Sequence, residues 1–313
     1  MIQIYKSKSD SQKLVSLSNL EPGCWINLIA PTEEELLLIS KKTNVPMDFL
    51  KSALDDEETS RIDIENDISL FIIDIPYTDM EENALTYDTY PLGIIHTPNE
   101  IITVCLKNSK IIRDFTSNEI KAFDTSKKST LTLKILHRIY TYYIIYLRQI
   151  DKKSTLIEEE LYESMRNREL SLLHSLKKSL VYFSTSLKSS KVTLLKIGKL
   201  EFMKKYEDDE DLLEDVIIEH QQATEMTNIY NNILSSTISF SASIISNNFN
   251  NVAKFLTSMT TVLSLFTIST GIYGMNIPLP MEHYPHAFAV LMTITSTVAA
   301  ISLYLLNKNG MLK

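Results

Sequence analysis

The sequence predicts an α+β cytoplasmic domain, a long stalk helix and two C-terminal transmembrane helices. Strand-like apolar patterns are confined to residues 1–115 of the 313-residue chain. Residues 116–251 contain no proline and a single glycine, Gly198, as long uninterrupted helices require. Two uncharged apolar segments follow, at 255–273 and 287–306.

The first 115 residues mix helix and strand signals. Helices are predicted at 30–40 and 45–54, because Thr32 is placed to cap the first and Pro46 suits the first turn of the second. Runs rich in β-branched and aromatic residues predict strands at five places. These are 2–5, 24–29, 68–75, 90–96 and 101–106.

The composition argues against several classes of function. Net charge is −8 and no basic patch stands out, so no nucleic-acid partner is expected. The chain has only 6 glycines, which disfavours phosphate-binding loops, and no catalytic motif is evident, so we do not expect an enzyme. Cys24 and Cys105 lie in predicted strands and are expected to be buried thiols.

The helical pattern is uninterrupted from Leu212 to Gly271. A helix of about 60 residues would span about 90 Å at 1.5 Å per residue, which is longer than a globular domain needs. We therefore interpret this segment as a stalk that continues into a membrane.

The segments 255–273 and 287–306 each match the ~20 residues that a helix needs to cross a bilayer. Lysines flank the pair at Lys254, Lys308 and Lys313, while the connecting loop has no Lys or Arg, so the positive-inside rule places both termini in the cytoplasm. The predicted division is 1–115 (α/β domain), 116–251 (long helices including the stalk), 252–274 (first transmembrane helix), 275–286 (outer loop), 287–307 (second transmembrane helix) and 308–313 (cytoplasmic tail).

Small or polar residues recur along one side of the first span, at alternating intervals of three and four residues. They allow two interpretations: close packing of helices in lipid, or a water-lined path in an oligomer that repeats this helix around an axis. The residues of this polar stripe are Asn250, Ala253, Thr257, Thr260, Ser264, Thr267, Gly271 and Gly274.

The stripe ends in the turn "GMN". Gly274 is expected to end the helix with a positive φ, so that Asn276 projects and Pro278 and Pro280 stiffen the exit. A ring of such turns would gather neutral oxygens, which suit a hard cation that is reluctant to lose its water. The alternative is an ordinary helix cap with an incidental asparagine.

The motif "YGMN" at 273–276, followed by a short loop and a second span, resembles the CorA magnesium transporters. The resemblance covers the whole architecture, and "LKSALDDEETSRIDIEND" at 50–67 also looks like the N-terminal domain of bacterial members. Met275 favours the magnesium branch over the related zinc-exporting branch, without excluding Co²⁺ or Ni²⁺.

The resemblance implies a funnel-shaped homopentamer in the cell membrane, a channel-like transporter of Mg²⁺ without an organic cofactor. The electrochemical gradient would drive transport, and cytoplasmic Mg²⁺ would gate it. Gly274, Met275 and Asn276 would form the outer selectivity filter. Pore-facing positions of the family match Asn250, Leu256, Thr267 and Gly271.

The chain departs from the family pattern within the pore. Ala253 and Ser264 stand where members often carry Met, so we expect a hydrophobic gate that is weaker or confined to Leu256.

The resemblance also implies a regulatory magnesium site between subunits. Asp215 matches its stalk ligand. Asp55, Asp56, Glu57 and Glu58 are candidates for the partner acid, although a solvated acidic loop explains these four equally well. Glu282, the one acid of the outer loop, either raises the local cation concentration or is a solvated carboxylate.

Two alternatives stay open at this stage. One keeps the fold and changes the ion to zinc or cobalt. The other is a membrane-anchored scaffold or signalling domain, which leaves the polar stripe and the asparagine turn unexplained.

Overall fold

The computed structural model describes residues 1–8, 14–81, 84–117, 119–120, 123–164, 167–278 and 284–311. The chain divides into two compact units, Met1–Ile238 and Ser239–Lys313. The first unit holds the sheet and most of the helices, and the second holds the two apolar helical segments.

The first unit contains a seven-stranded sheet with the order β2-β1-β3-β7-β6-β5-β4. Only the β3–β7 pair is parallel among the described strand pairs. The strands are β1 (Ile2–Ser7), β2 (Leu14–Leu17), β3 (Trp25–Ile29), β4 (Arg61–Glu65), β5 (Ile68–Glu81), β6 (Ala84–His96) and β7 (Ile101–Cys105).

All five predicted strands are present, but the sequence did not reveal β2 and β4. These two strands form the edges of the sheet, where one side of the backbone has no neighbouring strand. β2 is only four residues long, and β4 reads "RIDIE" with partly or fully exposed side chains. Short or charged edge strands give a weak apolar pattern, since little of their surface is buried.

Seven α-helices and a short 3-10 helix, Glu201–Met203, complete the described structure. The predicted capping of α1 is confirmed, because the Glu35 amide donates to Thr32 Oγ1 at 3.3 Å and the Glu35 carboxylate accepts from the Thr32 amide at 2.9 Å. The helices are α1 (Glu33–Thr43), α2 (Met47–Ser52), α3 (Lys110–Thr116), α4 (Lys128–Ser164), α5 (Asn167–Ile197), α6 (Asp209–Tyr273) and α7 (Ala287–Lys308).

The core of the first unit includes residues of α1 and α2 packed against the sheet. Leu36 and Ile39 of α1 and Leu50 of α2 are buried with Ile26 and Leu70 of the strands. Burial of such side chains is the main favourable term in folding, at about 25 cal/mol per Å² of apolar surface. Both cysteines are free and buried, as the sequence predicted.

A buried carboxylate fixes the start of α6. Asp209 is fully buried and accepts hydrogen bonds from Ser129 Oγ at 2.7 Å and Thr130 Oγ1 at 2.6 Å, both in the first turn of α4. The Asp209 carboxylate also accepts a hydrogen bond from the Tyr206 amide, three residues earlier in the chain, at 3.0 Å. Because a buried carboxylate needs such partners, the first turn of the stalk is tied to the first turn of α4.

Candidate ion pathway and regulatory acids

The polar stripe lies on the side of α6 that faces away from α7. Within the second unit, Thr295 Oγ1 of α7 donates to Ser269 Oγ at 2.9 Å, and Ser258 Oγ donates to the Met311 carbonyl at 3.4 Å. At 100° per residue, Ser258 and Ser269 share one side of the helix, and the stripe lies roughly opposite. Every stripe residue except the half-buried Ala253 is exposed in the single chain.

Three hydroxyl groups of the stripe donate to their own helix. Thr260 Oγ1 donates to the Leu256 carbonyl and Ser264 Oγ to the Thr260 carbonyl, each at 2.8 Å. Thr267 Oγ1 donates to the Leu263 carbonyl at 3.1 Å. A hydroxyl has one proton and two lone pairs, so these oxygens present acceptors away from the helix. Acceptor oxygens suit a cation or its water shell.

α6 ends at Tyr273, and the motif follows as a turn. The Gly274 amide donates to the carbonyls of Thr270 at 3.0 Å and Gly271 at 3.3 Å, and the Met275 amide donates to the Ile272 carbonyl at 3.2 Å. These bonds close the last helical turn.

The expected positive φ at Gly274 is wrong, because Gly274 is not among the described glycines with positive φ. A Cβ on Gly274 would instead lie 3.3 Å from the Thr270 carbonyl oxygen, a tight contact that glycine avoids. Met275 and Asn276 are both exposed in the single chain. Pro280 and Glu282 lie outside the described residues.

Asp215 lies in the second turn of α6, on a cavity of about 620 Å³ in the first unit. Asp208 and Asp211 line the same cavity, together with Lys127 and Lys134. Sequence reasoning selected Asp215 alone, although the intervals of three and four residues in "DDEDLLED" already indicated that the three carboxylates share one side of the helix.

Asp55 and Asp56 follow α2 and line a separate, open cavity. Asp55 Oδ1 accepts the Glu57 amide at 3.1 Å, and nearby Lys51 pairs with Glu33 at 3.0 Å. Both aspartates are exposed in the single chain. Among the described residues, no three His, Cys, Asp or Glu side chains of one chain are grouped closely enough to hold a metal ion.

Two helices of the described structure are long and apolar enough to cross a membrane. They are Asp209–Tyr273, through its apolar C-terminal part, and Ala287–Lys308. Both coincide with the spans that the sequence predicts.

Comparison with known proteins places these features in one family. The family model "CorA-like Mg2+ transporter protein" matches residues 21–308. The cobalt/magnesium transport protein CorA of Methanocaldococcus jannaschii is 26% identical over 296 residues, which cover 91% of this chain and 90% of that protein. The protein of the same name from Thermotoga maritima is 26% identical over 168 residues, or 51% of this chain and 46% of that protein.

The fold agrees with a solved structure over almost its whole length. The complete CorA magnesium transporter of M. jannaschii superimposes with a TM-score of 0.81 at 24% identity, covering 97% of this chain and 96% of that one. It shares the α/β domain, the long helix and the two apolar C-terminal helices. Since the family model spans most of the sequence, the chain belongs to the CorA-like Mg²⁺ transporter family.

Proposed function

We propose that this chain forms a homopentameric channel in the cell membrane that admits Mg²⁺ to the cytoplasm, where both termini lie. The inside-negative potential and the concentration gradient drive the flux. For a divalent cation the potential alone contributes about 4.6 kcal/mol per 100 mV, at about 2.3 kcal/mol per charge.

The observation that carries the proposal is the polar stripe on the side of α6 opposite α7, with its row of hydroxyl acceptors. The hydroxyls of Thr260, Ser264 and Thr267 donate to carbonyls of their own helix, so only their lone pairs are left to face outward as acceptors. Exposed hydroxyls off the stripe, such as Thr261 and Thr270, make the same internal bonds, so it is the alignment of small and polar residues along one side that supports a path. Five copies around an axis would line a path with oxygen acceptors.

The filter in this proposal is the turn formed by Gly274, Met275 and Asn276. Mg²⁺ dehydrates reluctantly, so amide oxygens of Asn276 would hold the ion through its water shell. The glycine at 274 supports this assignment, because a Cβ there would lie 3.3 Å from the Thr270 carbonyl oxygen and would crowd the turn that precedes Asn276.

Regulation is assigned to the acids of the first unit. In this proposal Asp215 of one subunit faces Asp55 or Asp56 of its neighbour, and bound Mg²⁺ holds the subunits together. Carboxylates that face one another repel, and a divalent cation reverses the sign of that interaction. When cytoplasmic Mg²⁺ falls, the repulsion returns and the pore opens.

The test is ion flux into liposomes that contain a Mg²⁺-sensitive dye under an inside-negative potential. We expect uptake by the unmodified protein and none by Asn276→Ala, with the oligomer intact on gel filtration. Asn309→Ala removes the same amide from the C-cap of α7 and should leave flux unchanged. Normal uptake by Asn276→Ala would contradict the filter assignment.

A second candidate ion is cobalt, because both curated relatives are named as cobalt/magnesium transport proteins. Repeating the flux assay with Co²⁺, alone and against Mg²⁺, ranks the two ions. Movement of Co²⁺ or Zn²⁺ without Mg²⁺ would keep the fold and change the substrate. No flux of any divalent ion would favour a membrane-anchored scaffold.

A further inference from the structure

A second cavity of the first unit shares no lining residue with the cavities at Asp215 and at Asp55 and Asp56. Its volume is about 380 Å³, within the usual range of small-molecule sites. It opens between the β4–β5 turn, the end of β6, the first turn of α4 and the segment before α6. Its lining includes Ile64, Asp67, Lys128, Phe202 and Lys205.

One side of this cavity is cationic. Lys128 Nζ donates to the carbonyls of Thr97 and Pro98, which leaves one of its three protons for a ligand. Neither Lys128 nor Lys205 forms an ion pair with another residue that the structure describes. Burial and then the positive charge of Lys205 lower the pKa of Lys128, while the nearby Glu100 raises it.

The part of the lining formed by Ile64 and Phe202 presents apolar surface. Ile64 is 55% exposed and Phe202 is 39% exposed, although both line a concave site. The Phe202 ring packs against the rings of Phe71 and His96, at centroid distances of 6.4 and 6.2 Å, and these contacts hold it in place. A planar ring entering the cavity would gain apolar contact on this side.

Asp67 is the one carboxylate among the lining residues. It lies in the β4–β5 turn with a φ of 63°. A carboxylate repels an anion, but it accepts hydrogen bonds from sugar hydroxyls, as acidic residues in nucleotide sites do. The lining therefore offers three chemically distinct contacts: for a flat ring, for hydroxyl donors and for a polyanion.

We propose that this cavity binds a nucleoside polyphosphate, with the base against Ile64 and Phe202 and the phosphates at Lys128 and Lys205. Two unpaired ammonium groups held near one another favour more than one phosphate, since each added negative charge relieves their repulsion. The site would give the cytoplasmic domain a ligand other than a free metal ion.

The test is isothermal titration calorimetry on the full-length protein in detergent, with ATP as the probe and free Mg²⁺ buffered to one value in every sample. Lys205→Gln should weaken ATP binding about tenfold, the loss of one charge-assisted contact. Lys204→Gln is the matched control, because the adjacent Lys204 pairs with Glu210 at 3.1 Å and does not line the cavity. Its affinity should equal that of the unmodified protein.

A third variant separates the base from the phosphates. Phe202→Ala should weaken ATP about tenfold and leave the binding of tripolyphosphate unchanged. No heat of ATP binding to folded protein, or equal ATP affinity in Lys205→Gln, would overturn the proposal. Tripolyphosphate that binds as tightly as ATP would overturn it as well, since the apolar side would then contribute nothing.

Discussion

At the scale of single residues, the sequence names the chemistry of a side chain but not its surroundings. Asp74 looks like one more acid in a β-strand, yet the structure half-buries it beside Ser60 and Ser186. The Tyr143 hydroxyl donates to the Asp74 backbone carbonyl at 3.1 Å. The Asp74 carboxylate also interacts electrostatically with Glu58, Tyr140 and Tyr143. Burial raises the pKa of Asp74 to about 6, although the two serine hydroxyls oppose the shift.

This shift makes stability depend on pH. The folded-state pKa lies above the unfolded value, so the folded protein binds more protons between about pH 4 and pH 6 and loses stability as the pH rises through that range. Asp74→Asn removes the buried charge and should therefore raise the free energy of unfolding at neutral pH, by on the order of 2–3 kcal/mol.

Thermal unfolding of the protein and the variant at acidic and neutral pH measures this effect. His96 acts in the opposite direction, because burial lowers its pKa to about 3, so only the difference between the two proteins isolates Asp74. A stability difference between the two proteins that does not change with pH would show that Asp74 has the same pKa in the folded and unfolded states. Asp88→Asn, on the neighbouring strand β6, is a matched control.

At the scale of elements, the proposed function assigns two roles to the single helix α6. Its first turns hold Asp209 against α4, and Asp215 lies within the same part of the helix. Its last turns carry the polar stripe and end at Tyr273. One helix of 65 residues needs no linker between these parts, because its backbone hydrogen bonds continue from one to the other.

The stripe leads to a prediction for the pore. Ser264→Met places a longer apolar side chain on the acceptor side of α6, where it would narrow the path and exclude water. We expect Mg²⁺ flux in liposomes to fall several-fold. Thr297→Met makes a comparable change on an exposed face of α7 and should leave flux near the unmodified value. Unchanged flux in Ser264→Met would remove this residue from the pathway.

At the scale of the whole molecule, the proposed regulation depends on contacts between subunits. In the proposed pentamer, Mg²⁺ at Asp215 joins neighbouring subunits and protects the cytoplasmic domain from proteolysis. Asp215→Ala should weaken that protection, so that more Mg²⁺ is needed to slow cleavage by trypsin. Glu214→Ala changes an adjacent exposed acid that does not line the cavity, and should behave like the unmodified protein. Undiminished protection in Asp215→Ala would place the sensor elsewhere.

The sequence by itself determined the class of this protein, because its signals are local. Uncharged spans of about 20 residues and the "GMN" turn depend on neighbouring residues only, and so does the capping of α1 by Thr32. Five strands were visible because they are buried on both sides or follow a clear pattern. The edge strands β2 and β4 were not, since exposure removes that pattern.

Only the tertiary structure decided which side chains meet across the chain. The contact of Asp209 with Ser129 and Thr130 joins residues about 80 positions apart. The cavity lined by Lys128 and Lys205 likewise joins the start of a helix to a distant turn. The direction of the polar stripe away from α7 also follows from the packing of two helices. Such contacts are fixed by long-range burial and hydrogen bonding, which no local pattern in the sequence records.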